Sequence, residues 1–599
     1  MRNTRLNSLR ARHILSIASA VIFAGIVGHA TAAVLQRDIA ERIDPIASPF
    51  ARKGGTIRMN SVPPKSPNGY TDNNTYTRMM FDLMYESLLG FDPITLDAVT
   101  GLAKGWSVSS DGREFTFEMD ARAHWSDGRP ITAADVKWTF DTVLDSKHDT
   151  GVWKVILGGF ESPQINGNSI IFRKRGEALQ DWRDVIKLGT FPILPAHALA
   201  TKDFNRLDFV HEPVSGPYFI EKIEEQVETE FHRQKNWWRK DFAAYKYVCN
   251  FDRIVLRYYI DNENAFEALK KRAIDVYPVY TARIMAQETY GEKFDRNWIL
   301  KRRVHNHAPI GFQGFAMNQR RFPFDDLRTR QAMAHLIDRE TMNRTMMSNA
   351  YFLLRSYFTD LYDDVAPCTN TLFSYDVECA QKLLAAAGWT RNPQSNLLEK
   401  DGRPFAFTFL SRSSTEDKFL SLFDHALRQC GIKMSITRKD FAGWMRDMDG
   451  FNFDMTWAAW GAGTIKDPEA MWLSSEADRK GSNNITGFKS AHVDKLIHDE
   501  KTMMDMASRN QAYREIDAEI AAAVPYALLW HVDETRLLYW NKFGMPSTVL
   551  DRHSGEESIL TYWWYDADKA HELNEAIAHQ TCLPQVSERV DFDAEVQTK

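Results

Sequence analysis

The chain has 599 residues, far more than one hydrophobic core can serve, so two or more lobes are expected. Lys and Arg number 74 against 80 Asp and Glu, a formal net charge of -6, which leaves no basic footprint for nucleic acid. Aromatic residues make up 12%, including 17 Trp, enough to furnish both cores and stacking surfaces.

At the N-terminus Arg2, Arg5, Arg10 and Arg12 precede an apolar run from Ile14 to Val27, and Ala30-Thr31-Ala32 supplies small residues for cleavage. This layout predicts a secretory signal peptide over residues 1–32, with the mature chain starting near Ala33. A spanning helix needs about 20 apolar residues, and this run is shorter and interrupted by Ser16, Ser19 and Gly25. No Cys stands at the cleavage position for lipid attachment, so an exported, soluble protein is expected. Residues 34–52 predict a short helix and an extended linker, and Thr56-Ile57-Arg58-Met59 a first strand. Three prolines and Gly69 make 61–70 a loop, and Met79 to Leu89 predicts an amphipathic helix.

The most legible block runs from Ala123 to Phe140. Phe115 and Phe117 alternate with polar neighbours just before it, as in a half-buried strand, and Ser126-Asp127-Gly128 suits a tight turn. Thr132, three residues ahead of Asp135, predicts a reciprocal N-cap; Val136, Phe140, Val143 and Leu144 then share one helical face. Residues 90–205 mix short strands and helices, ending at Phe191-Pro-Ile-Leu-Pro195. From 215 to 310 strands dominate, with one helix at Asn264 to Lys271. From 312 to 530 strands alternate with helices such as Leu327 to Ile337 and Thr415 to Cys430, which predicts a separate α/β lobe before the chain returns to strand at Leu537 to Trp540.

Leu102, Trp106, Asp111-Gly112 and Phe115-Thr116-Phe117 lead into that block. After it come Ser215-Gly216-Pro217-Tyr218, Asn262 to Asp275, Met317-Asn318, Pro323 to Ala332, Ile337-Asp338-Arg339, Tyr375-Asp376 with Leu383-Leu384, and Ala387-Gly388-Trp389. In order and spacing this series resembles family 5 of the extracytoplasmic solute-binding proteins of bacterial ABC importers, the peptide and nickel type. Asn236-Trp237-Trp238, the long N-terminal arm and Thr561 to Asp566 are most similar to its YejA-like oligopeptide-binding subgroup. The resemblance implies an α/β fold, periplasmic-binding-protein type II-like, with two lobes plus an inserted subdomain and a discontinuous first lobe. The expected pieces are 33–89 for lobe I with the arm, 90–205 for the inserted subdomain, 206–311 for lobe I again, 312–530 for lobe II, 531–566 for the last piece of lobe I, and 567–599 as a polar C-terminal tail. Also implied are a periplasmic location, an oligopeptide or peptide-like ligand captured by hinge closure, and an inner-membrane ABC permease with its ATPase subunits as partner. No cofactor is expected, and the protein is expected to be a monomer. A receptor for an oligosaccharide or a metal chelate is the alternative, and an extracytoplasmic hydrolase is the third reading.

Enzyme signatures are largely absent. Gly481 to Ser490 has one residue too many between its glycines and Phe488 before its lysine, so it cannot form a phosphate-binding loop, and no GxSxG or HExxH occurs. His305 and His307 alternate on a predicted strand and could face one metal, but no carboxylate or thiolate neighbours them in sequence. The ligand candidates centre on Trp457, Trp460, Gly461 and Gly463, which combine large rings with flexible backbone. The family resemblance places an ammonium-binding Asp at the position of Gly463, and Asp467, four residues on, is the possible substitute. Carried over from the resemblance are Tyr70, Asn73 and Tyr76 of the first-lobe loop, Asn483 and Asn484, and Trp530-His531 at the return crossing. Of the five cysteines, Cys368 and Cys379 bracket a short loop and are the candidate disulfide, with five free thiols the alternative.

Overall fold

The computed structural model describes residues 41–597 apart from 73, 177–179, 260, 364 and 504. The expected signal peptide over residues 1–32, and Asn73, lie outside the described residues. Two sheets organise the rest. The larger has eight strands in the order Arg589–Asp591, Ile299–His305, Glu534–Trp540, Val276–Pro278, Thr56–Ser61, Arg253–Tyr258, Glu228–Arg233 and Tyr218–Glu224. At its centre Thr56–Ser61 runs parallel to both Arg253–Tyr258 and Val276–Pro278, so the C-terminal ends of three strands share one edge of the sheet. Alternation along each strand serves two cores. Leu537 and Tyr539 join a large cluster on one face, whereas Leu538 and Trp540 join a smaller one with Phe266, Leu269 and Leu573 on the other.

The second sheet has five strands, Lys433–Arg438, Ala406–Ser411, Met455–Trp460, Phe312–Met317 and Tyr526–Leu528. It too is covered on both faces: Phe315 and Met317 pack with Phe409 and Leu420, and Phe312 and Ala316 with Trp472 and Ile520. Two passages join the sheets, one between His305 and Phe312 and one between Leu528 and Glu534.

A third, antiparallel sheet of Ala103–Val108, Glu114–Met119, Ser169–Arg173 and Gln164–Asn166 packs under the helix Ala133–Leu144. The reciprocal cap is present: Ala134 N–H donates to Thr132 Oγ1 at 3.3 Å, and Thr132 N–H to Asp135 Oδ2 at 2.9 Å. Asp135 Oδ1 also accepts from Ala196 N–H at 3.2 Å, which ties the helix to the chain that leaves this sheet.

Three expectations are corrected. The first helix spans Thr75–Met84 instead of Met79 to Leu89, because Asn74 caps it through Thr77 N–H at 2.9 Å and Tyr85 turns extended, which frees Leu89 for the strand Leu89–Phe91. The polar tail is an ordered part of the first lobe: helix Ala567–Ala578 buries Leu573 and Ala576, and Arg589–Asp591 adds an edge strand beside Arg303 to His305. A segment that needs only one apolar face looks polar in composition. Cys368 and Cys379 are free thiols, since each side chain has its own partner: Cys379 Sγ lies 3.6 Å from His335 Nε2, and Cys368 faces Tyr362. Residues 41–52 form turns, with no helix among them. Among the described residues no helix is long and apolar enough to cross a membrane.

Candidate functional site

Two contiguous cavities lie at the shared C-terminal edge of the parallel strands, the crevice where open α/β sheets take ligands. One of about 690 Å³ is bounded by Met59 and Asn60 at the end of the first strand, by Tyr76, Arg78 and Asp82 of the helix Thr75–Met84, and by Glu556 and Glu557. The other, of about 280 Å³, reaches the lobe junction, where Ile310, His531 and Val532 of the two crossings meet Tyr351 of the second lobe. Pro278, Tyr280 and Glu556 line both, so the two cavities adjoin. The volume of the larger falls within the range of small-ligand pockets.

A relay of side chains edges this space. Tyr76 contacts Tyr280, and the Tyr280 hydroxyl donates to the Glu556 carboxylate. Burial, reinforced by Glu556, holds the Tyr280 phenol far above its usual range. Glu557 is raised by burial and then by the adjacent Glu556, while its Oε1 accepts from Gly555 N–H at 3.0 Å. Asp82 is pushed up to about 6 by burial, which the charge of Arg78 only partly offsets.

Away from these cavities the lobes touch through a buried cluster of charge. Trp182 and Arg183, from the inserted subdomain, enter the second lobe: Trp182 N–H donates to Lys501 O at 3.0 Å, and Trp182 Nε1 to Glu500 Oε2 at 3.1 Å. The Arg183 guanidinium, 3% exposed, lies 2.9 Å from Asp181, 3.0 Å from Glu500 and 3.3 Å from Asp467. Tyr513 Oη donates to Glu500 at 2.9 Å, and the Arg509 guanidinium stacks 3.8 Å over the Trp182 ring. Burial nevertheless raises the Glu500 carboxyl. Every member comes from one of two lobes, so the cluster exists only when they are together.

The residues expected at the site are scattered. Tyr76 and His531 line the cavities. Tyr70 is 2% exposed in the first core, where its hydroxyl donates to Pro192 O. Trp457 and Trp530 pack against one another and against Phe419 at 5.4–5.8 Å, and Trp457 Nε1 donates to Gln313 at 2.9 Å. Asn484 is a turn residue, donating to Leu473 O and Phe488 O at 3.1 and 2.9 Å, while Asn483 is exposed. Trp460 is half-buried with Nε1 3.1 Å from Tyr526 Oη, and Gly461 and Gly463 sit on an exposed loop where a Cβ at Gly461 would meet nothing within 4 Å. Asp467 belongs to the interlobe cluster. His305 and His307 part company, Nδ1 of the first lying 2.8 Å from Asp533 O and Nε2 of the second 2.8 Å from Asp593. Asp82, Tyr280, Glu556, Glu557, Trp182, Arg183 and Glu500 were not anticipated. The only hint in the sequence is the acidic doublet Glu556-Glu557, beside a turn rich in Ser and Gly.

A crevice at the strand ends between two sheet-based lobes defines a two-lobed binding protein. The pattern described as bacterial extracellular solute-binding proteins, family 5, matches residues 97–482, and the chain belongs to that family. It is 26% identical over 582 residues to an uncharacterised protein YejA of Escherichia coli K12, covering 88% of this chain and 92% of that one. To a probable peptide-binding protein YejA of Agrobacterium fabrum it is 24% identical over 577 residues, with coverages of 86% and 90%. In fold it is similar to the oligopeptide-binding protein AppA of Bacillus subtilis, solved with a nonapeptide: TM-score 0.65, 18% identity, 86% of this chain and 99% of that chain.

Proposed function

We propose that this protein is the periplasmic capture subunit of an ABC importer, binding an oligopeptide or peptide-like solute between its lobes and presenting the closed form to a permease. The observation that carries this reading is the pair of adjoining cavities at the strand ends, bounded by first-lobe residues, both crossings and second-lobe Tyr351, in a chain of this family. Relatives described as peptide-binding supply the ligand class. Closure is favoured only by the difference in ligand contacts between the closed and open forms. Export through the N-terminal segment, action as a monomer, and ATP hydrolysis by the partner's ATPase subunits complete the proposal, which assigns no chemistry to this chain.

Incubation of the purified protein with a mixed peptide pool, followed by mass spectrometry of what stays bound, is the test. Retained, intact peptides are expected. Recovery of sugars or metal chelates alone would overturn the ligand class, and peptide cleavage would overturn the pure-binder reading.

A further inference from the structure

We propose that the cluster around Arg183 is a latch: contacts of the chain itself hold the two lobes together and set how much of the protein stands open to receive a solute. The inference goes beyond the capture reading and holds whichever solute is taken.

The latch joins two bodies that are covalently linked only at the two crossings. On one side Trp182 and Arg183 open the helix Arg183–Gly189, anchored in the first core by Leu188. On the other, Glu500 ends the helix Ala491–Glu500, and Arg509 and Tyr513 lie on Met506–Ala523; Ile497 and Ile516 bury both helices in a second-lobe core. Across the boundary run a backbone bond, Trp182 N–H to Lys501 O at 3.0 Å, the indole bond to Glu500, and the pairing of Arg183 with Glu500 and Asp467. The Arg183 guanidinium also lies 3.5 Å from Lys466 O, a backbone acceptor of the second lobe.

Both halves keep a partner when they part. Arg183 holds Asp181 Oδ1 through its own N–H and its Nε, each at 2.9 Å, and Glu500 holds the Tyr513 hydroxyl at 2.9 Å. Opening therefore returns the two charges to water with a partner apiece, which avoids the full penalty of an orphaned buried ion. Such a contact can be made and broken within the folded protein. A ligand shifts the balance by its own difference in contacts, and the latch sets where that balance starts. A solute enters only the open form, so with one tenth of the protein open, capture is about tenfold slower than with all of it open. Release waits for the same contacts to break.

Hydrogen exchange of the full-length mature protein, resolved to single amides and run without added solute, tests this. The Trp182 amide is bonded across the boundary, whereas the Asp184 amide is bonded within its own turn, to Asp181 O at 2.9 Å. In wild type both are expected to be protected. Arg183→Met is expected to speed exchange at Trp182 about tenfold and to leave Asp184 unchanged. If Arg183→Met frees Asp184 as well, the turn has unfolded, and Glu500→Ala, made in the other lobe, takes its place with the same expectation. A wild-type Trp182 amide that exchanges as fast as an unprotected one overturns the latch, since the lobes then stand apart. Equal protection of Trp182 in wild type and variant overturns its assignment to these charges. Neither result bears on which solute is captured, which the peptide pool decides.

Discussion

Two groups of charge in this protein, one buried and one open to solvent, differ in how they are balanced. Around Arg183 each carboxylate has a named donor or cation: Asp181, Glu500 and Asp467 share the guanidinium, and Trp182 and Tyr513 supply two further donors to Glu500. Around Asp82 the carboxylates outnumber the cation, and among the described residues Asp82 itself has no hydrogen bond or ion pair. The first arrangement is complete once the lobes meet and needs nothing from outside. The second is open to solvent, Asp82 and Glu557 being exposed. Satisfied buried charge therefore marks a contact between parts of the chain, whereas charge open to solvent is satisfied by water and needs no partner from the chain.

The largest break in this comparison is expected from Arg183→Met. Without the guanidinium, Glu500 at 0% exposure keeps its two neutral donors but is left without a cation when the lobes meet, a loss on the order of 3–5 kcal/mol, which opening of the lobes relieves in part. Thermal unfolding should fall by several degrees and small-angle scattering of the ligand-free protein should show a larger radius of gyration. Adding Glu500→Gln should restore much of both; an unchanged radius in the single variant would mean the cluster does not hold the lobes together. A smaller effect is expected from Tyr513→Phe, which deletes one donor to a charged acceptor, worth roughly 1.5–3 kcal/mol by denaturant titration.

The sign reverses at the second site. Asp82 holds its proton up to about 6 in the folded protein, against 3.8 ordinarily, so between those values rising pH removes a proton that the native state binds more tightly. Wild type therefore loses stability across that window. Asp82→Asn should melt higher than wild type above pH 6, with the gain shrinking to nothing below about pH 4. A variant less stable at pH 7.5 would show that Asp82 has a structural partner. The smallest expected effect is at the cysteines: omission of reductant should leave unfolding unchanged, with five titratable thiols in the unfolded protein and only exposed Cys582 reacting at once in the native one.

Much of the architecture was legible. The strand and capped helix around Thr132 and Asp135 form as their spacing predicts, because a turn, a cap and a 3.6-residue apolar period are local properties. The alternation of strands and helices after 312 marks a lobe with its own cores. The site was read less well. Trp457 and Trp530 suggested a stacking surface, but a large ring fills a core as readily as it faces a ligand, and composition does not distinguish the two. Asp82 and Arg183 belong to no motif that the sequence offers.

What the sequence by itself determined is the family, the order of strands and helices, and a two-lobed plan too large for one core, since all of these follow from patterns that repeat within a few residues or from length. Which charges face each other was decided only by the tertiary structure. Arg183 and Glu500 are 317 positions apart in the chain, and Asp82 and Glu557 are 475 apart, yet each pair borders one small volume. Whether such a group is buried and paired, as Glu500 is, or stays open to solvent, as Asp82 does, depends on what its distant neighbours place around it.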